Sequence, residues 1–267
     1  MVKTTQPKSR PVGETETPEI KNDCPNRLPL IGDAAPSFVA ETTQGTIHFP
    51  QDYAGSWVIL FSHPADFTPV CTTEFMMFAQ LMDDFKNLNT ELLGLSVDSL
   101  SSHIAWLYTI QERVRFHGLE HVNIQFPLIA DLNASIAEKY GMIHPNANST
   151  KTVRAVFFID PHGKIRTILY YPTTTGRNFD EIKRILLSLQ VGDAFDVSTP
   201  ADWRPGDPVI MANPATLGEA QEAGIRNEGE TSAWFLSLDN LSEEKINTRV
   251  GNKKAKKTSR QASKAKS

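Results

Sequence analysis

The feature that most constrains this chain is a set of short, continuously apolar runs with no polar alternation. Trp57, Val58, Ile59, Leu60 and Phe61 form the first, Leu92 to Val97 a second, Phe126 to Ile129 a third and Val153 to Ile159 the longest. Runs of this kind fit central strands covered on both faces. Between them lie stretches with helical spacing. Phe75, Phe78, Met82 and Phe85 recur on one face, with Leu81 and Leu88 alongside. Ser102 to Phe116 is moderately amphipathic, Asp131 starts a short helix to Tyr140, and Ile182, Ile185, Leu186 and Leu189 form one face of a helix over 180–189. Weak two-fold alternation at Phe38–Val39 and Ile47–Phe49 predicts outer strands or a hairpin. Asp160-Pro161-His162-Gly163 is a turn into a strand over 165–170. Strands alternating with helices, then a hairpin and a last helix, predict an α/β fold with a mixed central sheet flanked by helices.

The two ends differ from this core. Residues 251–267 hold seven basic side chains (Lys253, Lys254, Lys256, Lys257, Arg260, Lys264, Lys266) and no acid, leaving 20 basic against 31 acidic residues in the first 250. With no large apolar side chain, such a segment cannot offset its ordering entropy, so a disordered basic tail is expected over 247–267. A basic run of this kind can contact nucleic acid, anionic lipid or a nuclear-import receptor, the bland alternative being a solubilising tail. The acidic body argues against nucleic acid as the main partner. Pro7, Pro11, Pro18 and Pro25 break regular structure over 1–27, read as a flexible extension that contains Cys24. After Val191 the chain becomes rich in Pro, Asp and Gly, and residues 191–246 are expected to pack on the main domain, 28–190, or on a second subunit. No run reaches the about 18 apolar residues of a membrane span, and the start does not resemble a secretory signal. Two cysteines exclude a disulfide scaffold. The chain is expected to be soluble and cytoplasmic.

One residue carries the sharpest functional reading. Thr68 is a suitable N-cap and Pro69 a suitable first helical residue, which puts Cys71 in the first turn of a helix. A thiolate there meets free backbone N–H groups and the positive end of the helix dipole, which favours the reactive form. Thr68 lies beside it, and Pro64 and Pro69 stiffen the loop. The bland alternative is a core cysteine, followed by Met76 and Met77. No second cysteine stands at C-x-x-C spacing. His117 and His121 lie four apart, but Gly118 intervenes and no third metal ligand is evident. His48, His103, His144 and His162 read as surface or packing residues.

The segment Phe61-Ser-His-Pro-Ala-Asp-Phe-Thr-Pro-Val-Cys71-Thr-Thr-Glu74 resembles the peroxiredoxin active-site motif P-x-x-x-T-x-x-C, and is most similar to that of the one-cysteine, peroxiredoxin six-like subfamily. Arg154 in Val153-Arg-Ala-Val-Phe-Phe-Ile-Asp160 matches the family's arginine. Tyr171-Pro-Thr-Thr-Thr-Gly-Arg-Asn-Phe-Asp-Glu181 and Thr199-Pro-Ala-Asp-Trp-Arg-Pro-Gly-Asp207 match further stretches in the right order. The resemblance covers about Leu30 to Leu241. It implies a thioredoxin-like fold with a small C-terminal extension domain, no cofactor and no metal. It also implies a thiol-dependent peroxidase in which Cys71 reduces hydrogen peroxide or an organic hydroperoxide and becomes a sulfenic acid. Arg154 would donate to thiolate and peroxide, and Thr68 would accept from the peroxide and donate to sulfur or oxygen. Pro64 would exclude water, His63 would hydrogen-bond near the sulfur, and Glu74 with Arg177 would orient the arginines.

No cysteine follows Cys71, so the resemblance implies reduction by an external thiol, glutathione or thioredoxin-like. Cys24 is read as an incidental thiol, with resolution across a dimer the alternative. Some family members carry a lipase serine in G-x-S-x-G. Here the stretch is Ala54-Gly55-Ser56-Trp57-Val58, with Pro50 at the place of the histidine, so no phospholipase activity is expected. A homodimer is implied, with a decamer also open. The competing function is a redox-regulated chaperone or peroxide-sensing relay.

Overall fold

The computed structural model describes residues 27–226 and 233–250. The expected N-terminal extension with Cys24, and the basic segment 251–267, lie outside the described residues. The elements run β1 (Phe38–Thr42), β2 (Gly45–Phe49), β3 (Trp57–Ser62), α1 (Pro69–Gln80), α2 (Met82–Asn87), β4 (Thr90–Ser96), α3 (Leu100–Arg113), β5 (Arg115–Phe116), β6 (Leu119–Glu120) and β7 (Leu128–Ala130). They continue with α4 (Ser135–Lys139), β8 (Arg154–Ile159), β9 (Ile165–Tyr171), α5 (Phe179–Phe195), β10 (Val209–Ile210), α6 (Leu217–Arg226), β11 (Leu238–Asp239) and α7 (Glu243–Val250). Seven strands form one mixed sheet in the order β2-β1-β7-β4-β3-β8-β9. β3 pairs parallel with β4 and antiparallel with β8, so the longest apolar runs sit at the centre.

Alternation explains why those runs are apolar throughout. Trp57, Ile59 and Phe61 of β3, with Val156 and Phe158 of β8, face a core shared with Phe75, Phe78, Phe85, Trp106, Ile182 and Leu186. Val58 and Leu60, with Ala155, Phe157 and Ile159, face a second core with Phe49, Ile136 and Tyr140. Both sheet faces are covered, as in a buried central sheet. A side chain at Gly94 of β4 would meet Leu128 Cδ1 at 2.9 Å, so the glycine permits close packing over its strand. This is a thioredoxin-like α/β fold with a small C-terminal extension.

The helix boundaries differ from the sequence pattern for local reasons. The apolar repeat over 75–85 spans two helices because Leu81 (φ −93°, ψ 7°) interrupts the first. α3 stops at Arg113, because His117 (φ 49°) and Gly118 (φ 78°) turn the chain into the β5–β6 hairpin. α4 begins only at Ser135, since Ala134 is left-handed (φ 58°). Asp131 still serves the helix start, accepting from Ile136 N–H and Ala137 N–H (2.7 Å to the latter). α5 is capped by Asn178, whose Oδ1 accepts from Glu181 N–H at 3.1 Å, and extends to Phe195. In the extension, Trp203, Val209, Leu241 and Ile246 join the first core. The helix α7 runs to Val250, so the tail boundary expected at 247 falls inside it. Among the described residues, no helix is long and apolar enough to cross a membrane.

Candidate active site

Two chain segments meet where β3 ends and β8 begins. Ser62 ties them together, its Oγ donating to Val153 O (2.6 Å) and accepting from Ala155 N–H (3.1 Å). Thr152 Oγ1 donates to His63 O at 2.7 Å. From this junction Arg154 enters the interior, and the loop from β3 delivers α1. Thr68 is the extended N-cap (φ −102°, ψ 143°) and Pro69 the first helical residue. The first helical bond runs from Thr72 N–H to Thr68 O (3.0 Å), so the N–H groups of Val70 and Cys71 lie ahead of the ladder.

Cys71 is fully buried. Arg154 Nη1 lies 3.2 Å from its Sγ and 2.7 Å from Glu74 Oε2. The other guanidinium donors of Arg154 grip one carbonyl, Thr173 O, from Nε (3.1 Å) and Nη2 (2.7 Å). Arg177 closes the other side of Glu74. Its backbone N–H donates to Oε1 (2.9 Å) and its Nη1 to Oε2 (2.8 Å), while its Nη2 donates to Ser62 O and Ala155 O. The Arg177 guanidinium also lies over the Phe61 ring, 5.4 Å from its centroid. Burial pushes the Arg177 pKa down and the Glu74 carboxylate opposes this. The arrangement is a buried carboxylate clamped between two guanidinium groups, one of which also touches sulfur.

The structure therefore brings Cys71, Glu74, Arg154 and Arg177 together. Pro64 is buried in the loop before α1. Thr68 is half-buried, and its hydroxyl donates to Ala65 O at 2.8 Å, which commits its proton and leaves its lone pairs to accept. The expected donation to sulfur is therefore not made. His63 is fully buried, but its ring nitrogen Nε2 pairs with Asp66 Oδ1 (3.0 Å) rather than with sulfur.

Sequence reasoning missed the partners of this loop. Asp66 pairs with His103 Nδ1 at 2.8 Å, and Trp106 Nε1 donates to Thr72 Oγ1 at 3.2 Å. His103 is not a simple packing residue. The signal was present, because His103, Trp106 and Ile110 follow helical spacing and all three are buried. Burial alone would raise the Asp66 carboxyl pKa; bonds from His103 and His63 outweigh it and hold the group well below the usual carboxylate range. His63, Asp66 and Asp98 bring ligand atoms within 4.8 Å of one another. Within it His63 Nε2 pairs with Asp66 Oδ1 (3.0 Å), and Asp98 Oδ2 accepts from Asp66 N–H (3.0 Å) and Ser96 Oγ (2.7 Å). The cluster is a hydrogen-bond network.

Residues 31–168 match the model of the AhpC/TSA family, and residues 188–223 match the C-terminal domain of 1-Cys peroxiredoxin. The chain belongs to the AhpC/TSA peroxiredoxins. It is 57 % identical over 213 residues to a peroxiredoxin of Methanosarcina mazei, covering 79 % of this chain and 97 % of that one. It is 48 % identical over 219 residues to a peroxiredoxin of Aquifex aeolicus, covering 78 % and 96 %. Among solved structures, it resembles a yeast mitochondrial 1-Cys peroxiredoxin (TM-score 0.68, 40 % identity, 79 % of this chain and 99 % of that one). It also resembles a cysteine-to-serine mutant of peroxiredoxin 6 of Arenicola marina (TM-score 0.64, 38 % identity, 72 % and 88 %). The architecture is that of the one-cysteine peroxiredoxins, and the activity is thiol-dependent reduction of peroxides through a cysteine.

Proposed function

We propose that Cys71 is the peroxide-reducing cysteine of this enzyme and that Arg154 is its principal electrostatic partner. The observation that carries this reading is the 3.2 Å approach of Arg154 Nη1 to a fully buried Sγ in the first turn of α1. Charge balance supports it. Arg154 and Arg177 bring two positive charges to one buried carboxylate, Glu74, and an anionic sulfur neutralises the remainder. In this reading the Cys71 thiolate attacks the distal oxygen of a hydroperoxide. A sulfur–oxygen bond forms, the O–O bond breaks and water or an alcohol leaves after proton uptake. Arg154 stabilises the negative charge spread over sulfur and both oxygens. Thr68 accepts a hydrogen bond from the peroxide, Pro64 shields the thiol from water, and Glu74 with Arg177 holds the guanidinium of Arg154 in place. His63 closes the pocket wall.

An external thiol then resets the enzyme. The first equivalent condenses with the sulfenic acid, releasing water and leaving a mixed disulfide, and a second equivalent reduces that disulfide. Glutathione or a thioredoxin-like protein is the proposed reductant; the solved yeast relative is described as resolved through those systems. The unit 28–190 carries the chemistry, and the extension from 191 takes part in a homodimer. Exposed Leu217, Trp234 and Phe235 of the extension support that pairing. The enzyme is read as cytoplasmic, with nuclear targeting by the basic segment 251–267 as the alternative. Peroxide consumption with supplied glutathione or thioredoxin tests the chemistry. Cys71→Ser should abolish it while the fold persists, and a variant that still turned over peroxide would refute the assignment.

A further inference from the structure

Helix α3 presents two buried side chains to the loop that follows β3. Trp106 stacks on the His63 ring (centroids 5.1 Å apart, planes 26° apart), and His103 holds Asp66. Among the described residues, both nitrogens of His103 face acceptors only. Nδ1 meets the Asp66 carboxylate at 2.8 and 3.1 Å, and Nε2 meets the Ile129 carbonyl at 3.1 Å. With Asp66 ionised, an imidazole bonded this way donates from both nitrogens and carries two protons. His63 is different. Its Nε2 meets Asp66 Oδ1 at 3.0 Å, while its Nδ1 is buried with no hydrogen-bond partner among the described residues. A proton on Nε2 satisfies the carboxylate and leaves the lone pair on Nδ1.

We propose, on the peroxidase reading above, that His103 is a positioning residue of the reaction. As an imidazolium bridging Asp66 and the Ile129 carbonyl, it fixes His63 in the Nε2–H form with its lone pair on Nδ1. The other tautomer would turn a lone pair onto a carboxylate and lose a charge-assisted hydrogen bond. Rotation of the ring is opposed by Trp106 on one face and by Phe75, whose ring packs edge-on at 4.9 Å. Phe75 lies one turn beyond Cys71, and both belong to one packed core, so a fixed His63 ring fixes part of the wall around the thiol. The charged groups facing His63 are Asp66, His103 and, through the Asp66 backbone, Asp98. Burial lowers the His63 pKa and outweighs its carboxylate neighbour, in keeping with a neutral ring.

The test uses the full chain, with ¹⁵N-labelled histidine NMR and stopped-flow oxidation by hydrogen peroxide. In the wild type, His103 should show both nitrogens protonated and His63 a proton on Nε2 only. His103→Asn keeps a donor at the place of Nδ1 and should stay within a few-fold of wild-type oxidation. His103→Gln keeps a donor toward Ile129 but not toward Asp66, and should slow oxidation about 10- to 100-fold, as misplacement in a site does. A His63 proton on Nδ1, a singly protonated His103, or wild-type oxidation in His103→Gln would overturn the proposal. If neither variant folds, the wild-type NMR decides alone. Failure of the wild type to oxidise at Cys71 would instead refute the peroxidase reading on which this rests.

Discussion

Replacing Glu74 by Gln removes one charge at almost constant shape, and the structure sets the consequence. Oε1 accepts from Arg177 N–H, and Oε2 accepts from both Arg154 Nη1 and Arg177 Nη1. Every partner is a donor. The Gln amide has one acceptor atom and one NH₂ group, so in either orientation its NH₂ faces a donor. Two buried guanidinium groups also lose their only carboxylate partner among the described residues. Breaking a buried pair in this way costs about 3–5 kcal/mol, because a charge is left uncompensated. For a chain of this size, each kcal/mol shifts Tm by about 2–4 °C, so a drop of roughly 6–20 °C is expected. Differential scanning fluorimetry measures it, and stopped-flow oxidation of Cys71 on the same sample should slow as Arg154 loses its fixed orientation. A variant with wild-type Tm and wild-type oxidation would refute the argument that Glu74 holds the two arginines.

Three further outcomes follow from the same geometry. Arg154→Lys loses the fork that reaches Sγ, Glu74 and Thr173 O together, and peroxide reduction should fall about 10²- to 10³-fold, as when a transition-state donor is removed. Asp66 is held below its usual range, so its ionised form stabilises the fold; that contribution is complete above about pH 4 and is lost as pH falls further, whereas Asp66→Asn, less stable at neutral pH, should lack this acid limb in urea titrations. Trp203→Ala removes a fully buried side chain of the extension from the main core, and a loss of about 3–5 kcal/mol in denaturant unfolding is expected.

Much of this was legible in the sequence, and for identifiable reasons. β3 and β8 show as uninterrupted apolar runs because both their faces are covered, and Cys71 shows at a helix start because Thr68 and Pro69 mark that start by local chemistry. Glu74 lies one turn from Cys71, within reach of helical spacing. What sequence could not order was anything built by distant segments. Arg154 reaches Cys71 across 83 positions and His103 reaches Asp66 across 37, and no periodicity encodes such meetings. The resemblance supplied the first of these and was silent on the second. Thr68 shows the converse failure. Its type is right for a cap, but the Ala65 carbonyl competes for its hydroxyl, and that competitor is visible only once the loop is folded.

The most direct test is intact mass spectrometry of the full chain after one equivalent of hydrogen peroxide, with peptide mapping. The wild type should gain the mass of one oxygen atom at Cys71, and added glutathione should remove it. Cys71→Ser should gain nothing. Oxidation confined to Cys24, or a wild-type chain left unmodified while peroxide disappears, would contradict the account.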